Sequence, residues 1–134
     1  METLKTLSDL SHRLGIEPGL SLQDWEIINA DTGRVPEFID FYYSEELNES
    51  LRVNLVLLII HSLERKIGQQ STTQESNSTQ DWCRLVHILR ERQEEYTFII
   101  RHNLSRREWV LEEEISECAP LLPLFEEEFN DILR

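Results

Sequence analysis

The sequence has few basic residues: 13 Lys and Arg stand against 26 Asp and Glu in 134 residues, which gives a formal net charge of −13. A field of this sign repels phosphate backbones, so direct binding to nucleic acid is disfavoured. Basic proteins are attracted to such a surface instead. The charge therefore predicts a basic protein partner and no nucleic-acid partner.

Cysteine is also scarce, since the sequence contains only Cys83 and Cys118. Neither belongs to a CxxC pair or to a Cys/His spacing of the kind that binds zinc. We therefore expect two buried free thiols, without a disulfide or a metal.

Long hydrophobic runs are absent as well. The most apolar stretch is LRVNLVLLIIHSLERK at 51–66, and its uninterrupted apolar part is far shorter than the roughly 18 residues that a membrane span needs. The N-terminal METLKTLSDLSHRLG has leucines at helical spacing and lacks the continuous apolar core of a signal peptide. We expect a cytoplasmic protein without a membrane partner.

Recognisable catalytic and cofactor motifs are missing: the sequence has no GxGxxG, P-loop, HExxH, GxSxG or EF-hand loop. It therefore predicts no enzyme and no cofactor. One polar helix face carries imidazoles and carboxylates, but without a Glu-x-x-His pair we interpret it as a solvated face. A helical metal-binding protein or enzyme that also uses His61 is the alternative. The residues of that face are His87, Glu91, Glu94, Glu95 and His102.

Apolar periodicity predicts an all-α fold, a single domain over 1–134 with five or six helices around two long central ones. The first long helix covers 51–67 and is apolar nearly all round, with a thin polar stripe of Asn54, His61 and Arg65. Asn48 or Ser50 caps its start, and the glycine at 68 ends it. A strand is the less favoured alternative for this segment.

The other predicted elements follow from caps and breakers. A helix over 3–14 ends at Gly15, and a short helix with Pro36 in its first turn runs to Tyr43 after a cap from Asp31 or Thr32. A flexible polar loop at 69–80 precedes the second long helix, 81–102.

The C-terminal part is predicted to be helical too. The spacing of SRRE at 105–108 is that of a capping box, which starts a helix through 109–115, and a final helix carries Phe125 and Phe129. One short strand near 25–29 or 108–111 is the alternative.

Two acidic blocks lie in the last part of the chain, where the range 108–133 holds nine acidic residues and no Lys or Arg. The blocks are Glu112, Glu113 and Glu114, and Glu126, Glu127 and Glu128. Together they predict one negative surface with an aromatic centre of Trp109, Phe125 and Phe129, which would steer a basic partner. Two separate solvated helix faces are the alternative.

A second candidate surface is FIDFYYSEELNE, in which Tyr42 and Tyr43 are adjacent and cannot both face the core. The exposed one is a suitable interface anchor. Its acidic neighbours are Asp40, Glu45 and Glu46.

This stretch of about a dozen residues resembles the acid-flanked tyrosine pair of the small bacterial immunity proteins that hold colicin DNases. The resemblance implies an immunity protein or antitoxin that occludes the basic surface of a nuclease-type toxin. A regulatory or adaptor subunit that docks through the apolar CAPLLPLF at 118–125 is the alternative.

Overall fold

The structure, a computed structural model, describes residues 6–17, 25–69 and 75–132, and these ranges are mainly helical without a β-strand. The predicted all-α fold is confirmed. The helices are α1 Leu7–Leu14, α2 Trp25–Ile28, α3 Val35–Ser44, α4 Glu49–Gln69, α5 Glu75–Glu91, α6 Gln93–Ser105, α7 Ile115–Cys118 and α8 Leu122–Glu128. Two 3-10 turns, Arg106–Glu108 and Glu112–Glu114, precede α7.

The chain divides into two compact units, Met1–Arg65 and Lys66–Arg134, with the boundary inside α4. The described ranges contain more helices than the five or six predicted. The difference arises because α2 and α7 are single short turns and because the second long helix is broken.

Helix α1 of the first unit is closed at both ends by its sequence. The Thr6 hydroxyl accepts from the Asp9 N–H at 3.0 Å, and the Asp9 carboxylate accepts from the Thr6 N–H in return. Gly15 ends the helix in the left-handed conformation at φ 69°, as predicted. The predicted start at residue 3 is wrong, because Thr6 has the extended backbone of an N-cap and the helix begins at Leu7. Residues 3–5 themselves lie outside the described residues.

Helix α2 replaces one of the two strand alternatives. The backbone N–H of Asn29 donates to the Trp25 carbonyl at 3.1 Å, which is a helical bond. Trp25 is fully buried, and its indole N–H donates to the Ser11 hydroxyl at 2.7 Å. This buried bond ties α2 to α1, so the helical turn is fixed by tertiary contacts.

The start of α3 differs from the prediction in its cap. Pro36 lies in the first turn as expected, but the N-cap is Arg34, which makes no capping bond through its side chain. The Asp31 carboxylate instead accepts from the Gly33 N–H at 2.9 Å, and this bond shapes the turn before the helix. Neither Asp31 nor Thr32 is the cap.

Helix α4 is the central helix predicted for 51–67. The Asn48 side chain accepts from the Leu51 N–H at 2.9 Å, so Asn48 and not Ser50 caps the helix. The fully or almost fully buried residues of α4 are Leu51, Leu55, Val56, Leu58, Ile59, Ile60, Ser62 and Leu63. The predicted polar stripe of Asn54, His61 and Arg65 stays half-buried or exposed.

The glycine at the end of α4 does not stop it, because the helix continues to Gln69. A Cβ on Gly68 would lie 3.7 Å from the Glu117 carbonyl oxygen and 3.8 Å from Pro120 Cγ. The chain from 117 to 120 thus covers Gly68 at ordinary contact distance. The prediction that this glycine ends the helix is wrong.

The predicted loop at 69–80 is also corrected where the structure describes it. Gln69 belongs to α4, and α5 begins at Glu75, while 70–74 lie outside the described residues. Ser78 and Asp81 are buried, and the Asp81 carboxylate accepts from Lys66 Nζ at 2.8 Å. This nearly buried ion pair fixes a polar segment that has few apolar side chains to bury.

The second long helix is broken at Arg92, whose backbone lies at φ −129° and ψ 49° between α5 and α6. Six consecutive polar residues separate Leu89 from Tyr96. Because none of these side chains is apolar, a break in the helix here exposes no apolar surface to water. Glu94 and Glu95 then lie in the first turn of α6, where the helix dipole favours negative charge.

The capping box predicted at 105–108 does not form. Ser105 is the last residue of α6 and has helical backbone angles, whereas an N-cap is extended. Its hydroxyl donates to the His102 carbonyl at 2.6 Å instead. A 3-10 turn follows, so neither the predicted helix through 109–111 nor a strand occupies this stretch.

The second unit buries its apolar residues where α8 packs against α6. Phe125 and Phe129 are fully buried, and the Phe125 ring meets Trp82 edge-on at 5.1 Å between centroids.

Both cysteines are free but exposed. The prediction of buried thiols is wrong, because Cys83 and Cys118 lie on the outer sides of α5 and α7.

No helix in the described ranges has the length and apolar character needed to cross a membrane.

Candidate protein-binding surfaces

The most exposed aromatic residue described is Trp109, which is 65% accessible in the second unit. It lies in residues 108–114, which we call the acidic-aromatic segment. Leu111 of this segment is 57% accessible, and its four glutamates are all exposed. Only Val110 points inward, against the buried cluster of Ile115, Ala119 and Leu122. Exposed apolar and acidic side chains therefore lie within one short segment of the chain.

The backbone of the acidic-aromatic segment is held by local hydrogen bonds. The N–H groups of Trp109 and Val110 donate to the Arg106 carbonyl at 3.2 and 2.9 Å. The Glu114 N–H donates to the Leu111 carbonyl at 2.9 Å and closes the second 3-10 turn. The exposed side chains thus project from a defined backbone.

One arginine joins the two acidic blocks. The Arg107 guanidinium donates from Nε to Glu126 Oε2 at 2.9 Å and from Nη2 to the other oxygen of the same carboxylate. Its Nη1 donates to Glu112 Oε2 at 2.7 Å. One carboxylate from each acidic block therefore contacts the same cation.

This contact shifts the pKa values of Arg107 and Glu126. The hydrogen bond with Arg107, aided by its positive charge, lowers the pKa of Glu126 below its ordinary value. The same bond raises the pKa of Arg107, and the charges of Glu126 and Glu112 add to this effect. Glu126 therefore keeps its charge to lower pH than a solvated glutamate.

A second arginine holds the end of α8. Arg90 donates to the Glu128 carbonyl at 2.7 Å and to the two carboxylate oxygens of Asp131 at 3.2 and 3.3 Å. Its guanidinium also lies over the Phe129 ring, 4.5 Å from the centroid. The hydrogen bond with Arg90 lowers the pKa of Asp131.

Part of the negative charge that we expected to bind a basic partner is thus already paired with arginines of the same unit. Sequence reasoning missed Arg90 and Arg107 because both precede the acidic range, and the only signal was that Arg107 lies close to the first block. Glu113, Glu114 and Glu127 remain exposed and make no ion pair with any described residue.

The aromatic centre differs from the prediction. Phe125 and Phe129 are fully buried and belong to the core, whereas Trp109 is exposed. The two phenylalanines follow the helical periodicity of α8, which places them toward α6. Trp109 is the only member of the predicted trio that can contact a partner.

The tyrosine pair of the first unit is divided as predicted: Tyr42 is 8% accessible and Tyr43 is 48% accessible. The rings meet edge-on with centroids 5.3 Å apart, so the buried ring supports the exposed one. Glu45 forms an ion pair with Arg13. Asp40 and Glu46 are exposed.

The histidine-bearing face of α5 and α6 gathers no metal site in the described part of the chain, where no group of three or more His, Cys, Asp and Glu is suitably placed. His87 Nε2 lies 2.8 Å from Glu91 Oε1, which is an exposed pair along one helix. His102 and Glu94 are also exposed, while Glu95 and His61 are half-buried.

The apolar segment at 118–125 is mostly used in the core of the second unit. Ala119, Leu121, Leu122 and Phe125 are all fully buried. These side chains are therefore not free to dock to another subunit, and the adaptor alternative loses the surface on which it depended.

No protein-family model, curated protein or solved structure matches this chain. The proposed function consequently depends on the surfaces described above.

Proposed function

We propose that this chain binds a basic protein through the acidic-aromatic segment. The observation that carries the proposal is Trp109, 65% accessible and surrounded in sequence by exposed carboxylates. Tryptophan is among the residues that contribute most to binding when they become buried in an interface. The surrounding charge would steer a basic partner toward it.

The backbone of the acidic-aromatic segment is fixed by hydrogen bonds, and this supports a binding function. Val110 is packed inward and the 3-10 turns are hydrogen-bonded, so less conformational entropy is lost when a partner binds. Trp109 would contact apolar or cationic groups of the partner. Glu113 and Glu114 would pair with its lysines and arginines.

The finer proposal is an immunity-type inhibitor that covers the basic surface of a nuclease-type toxin. The net charge of −13 and the exposed Tyr43 beside Asp40 and Glu46 support it. Inhibition would proceed by occlusion, because carboxylates would occupy the cationic side chains that otherwise hold nucleic-acid phosphates. No chemical step by this chain is required.

The test begins with affinity capture from the native host, identification of the captured protein by mass spectrometry and comparison with the products of neighbouring genes. The identified protein is then purified, and its affinity is measured for the wild type, Trp109→Ala and Phe98→Ala. Phe98 is the matched control, because it is an exposed aromatic residue of the same unit, 57% accessible, outside the acidic-aromatic segment.

We expect a basic partner that loses about 30-fold in affinity with Trp109→Ala and little with Phe98→Ala, since truncation of an interface anchor costs about 2 kcal/mol. For the finer proposal, the chain inhibits the nuclease activity of that partner. Repeated capture without any basic protein, or an unchanged affinity of Trp109→Ala, would refute the proposal.

A further inference from the structure

We infer that Arg107 is a positioning residue that holds the acidic-aromatic segment against α8 and so shapes the surface for a cationic partner. The inference rests on the proposed function for its binding consequence. Its structural basis is the bridge from one guanidinium to Glu112 and Glu126.

The geometry suits an arginine and not merely a positive charge. Two N–H groups of the guanidinium face the two oxygens of Glu126, while a third faces Glu112. A planar fork can make these bonds simultaneously, whereas a lysine ammonium offers a single compact charge. Arg107→Lys would therefore keep the charge and lose the bridge.

The base from which Arg107 projects is itself fixed. The preceding residue, Arg106, is buried, and its Nη1 donates to Asn103 Oδ1 at 3.0 Å. Asn103 Nδ2 in turn donates to the Ile99 carbonyl in α6 at 2.9 Å. Arg107 thus connects the end of α6 to Glu112 and Glu126, one residue of each acidic block.

Without this cation, Glu112 and Glu126 would lose the counter-ion that they share. Glu112 and its exposed neighbours Glu113 and Glu114 would move away from Glu126, since like charges repel. Trp109 lies on the same short segment and would lose its defined position relative to the carboxylates. A partner would then have to order the segment on binding.

For Arg107→Gln, a role of Arg107 through its charge alone and a role in positioning the segment predict opposite changes in the affinity for a basic ligand. Removal of the cation makes the chain more negative, so a purely electrostatic effect would strengthen the binding of a basic ligand. Loss of the bridge would weaken it. Arg101→Gln is the matched control, because Arg101 is an exposed arginine of α6 that forms no ion pair with any described residue.

The experiment uses the full chain and a fluorescein-labelled oligoarginine peptide as the probe. Fluorescence anisotropy gives the affinity of the wild type, Arg107→Gln, Arg107→Lys and Arg101→Gln. Hydrogen–deuterium exchange gives the protection of the backbone amides in 108–114 for each variant without the peptide. Thermal unfolding checks that every variant remains folded.

We expect Arg107→Gln to weaken peptide binding about fivefold and to speed exchange in 108–114, while Arg101→Gln binds equally or more tightly with unchanged exchange. Arg107→Lys should also speed exchange and weaken binding. Unchanged exchange in Arg107→Gln, or a gain in affinity equal to that of Arg101→Gln, would overturn the inference. A wild type that does not bind the peptide would instead count against the proposed function, and the exchange result would still decide whether Arg107 holds the segment.

Discussion

Individual residues of the same type take different roles according to their burial. Tyr42 is buried beside the exposed Tyr43, and Phe125 is buried in the unit that exposes Phe98. The sequence indicated that one tyrosine must be exposed, because neighbours on a helix are about 100° apart. It could not indicate which one, since that depends on where α3 packs.

Leu58 and His61 lie close together on α4 and should respond differently to truncation. Leu58 is fully buried, so Leu58→Ala should lower the free energy of unfolding by about 2–5 kcal/mol. His61 is half-buried on the polar stripe, and His61→Ala should cost less than about 1 kcal/mol. Urea unfolding followed by circular dichroism measures both. A larger loss at His61 would show that the polar stripe is misplaced.

At the scale of the helix, periodicity located the core better than local signals located the ends. The buried face of α4 was predictable because apolar residues recur along it, and Asn48 was one of the two predicted caps beside Ser50. The predicted helix end at 68 and the predicted helix start at 105 were both wrong. Gly68 lies beside Glu117 and Pro120, and Ser105 continues α6.

The two glycines at helix ends should therefore respond oppositely to alanine. Gly15 has φ 69°, where a Cβ is strained, so Gly15→Ala should destabilise by roughly 1 kcal/mol. Gly68 is helical, and a Cβ there would meet only ordinary contacts, so Gly68→Ala should stabilise by up to about 1 kcal/mol. Thermal unfolding of both variants tests this pair. Destabilisation by Gly68→Ala would show that α4 ends earlier.

The molecule as a whole has a large negative charge, and a few arginines form ion pairs with some of its carboxylates. The composition predicted the charge, and the blocks at 112–114 and 126–128 were visible in the sequence. The sequence predicted that they form one surface, but it did not indicate that Arg107 joins them, because Arg107 reaches Glu126 across 19 positions of the chain. Such pairing depends on how α8 packs against α6.

This pairing gives a dependence of stability on pH with a defined sign. The pKa of Glu126 is lowered in the folded chain from an ordinary value of 4.5. Its stabilising contribution is therefore present above about pH 4.5 and is lost as the pH falls through the lower folded pKa. General charge repulsion decreases over the same range, so wild type and variant must be compared.

The difference in unfolding free energy between the wild type and Arg107→Gln should shrink as the pH falls below about 4.5. Protonated Glu126 is neutral, so it no longer forms an ion pair with Arg107. Urea unfolding across this range measures the difference. The difference for Arg101→Gln should change much less. A constant difference for Arg107→Gln would show that the Arg107–Glu126 bond does not form in solution.

The most direct test of the binding proposal is the hydrogen–deuterium exchange of the chain with and without its captured basic partner. The account predicts slower exchange in residues 108–114 on binding, with little change along the exposed histidine-bearing face of α5 and α6. Protection confined to other ranges, or no protection in 108–114, would contradict the claim that Trp109 and its neighbouring carboxylates form the binding surface.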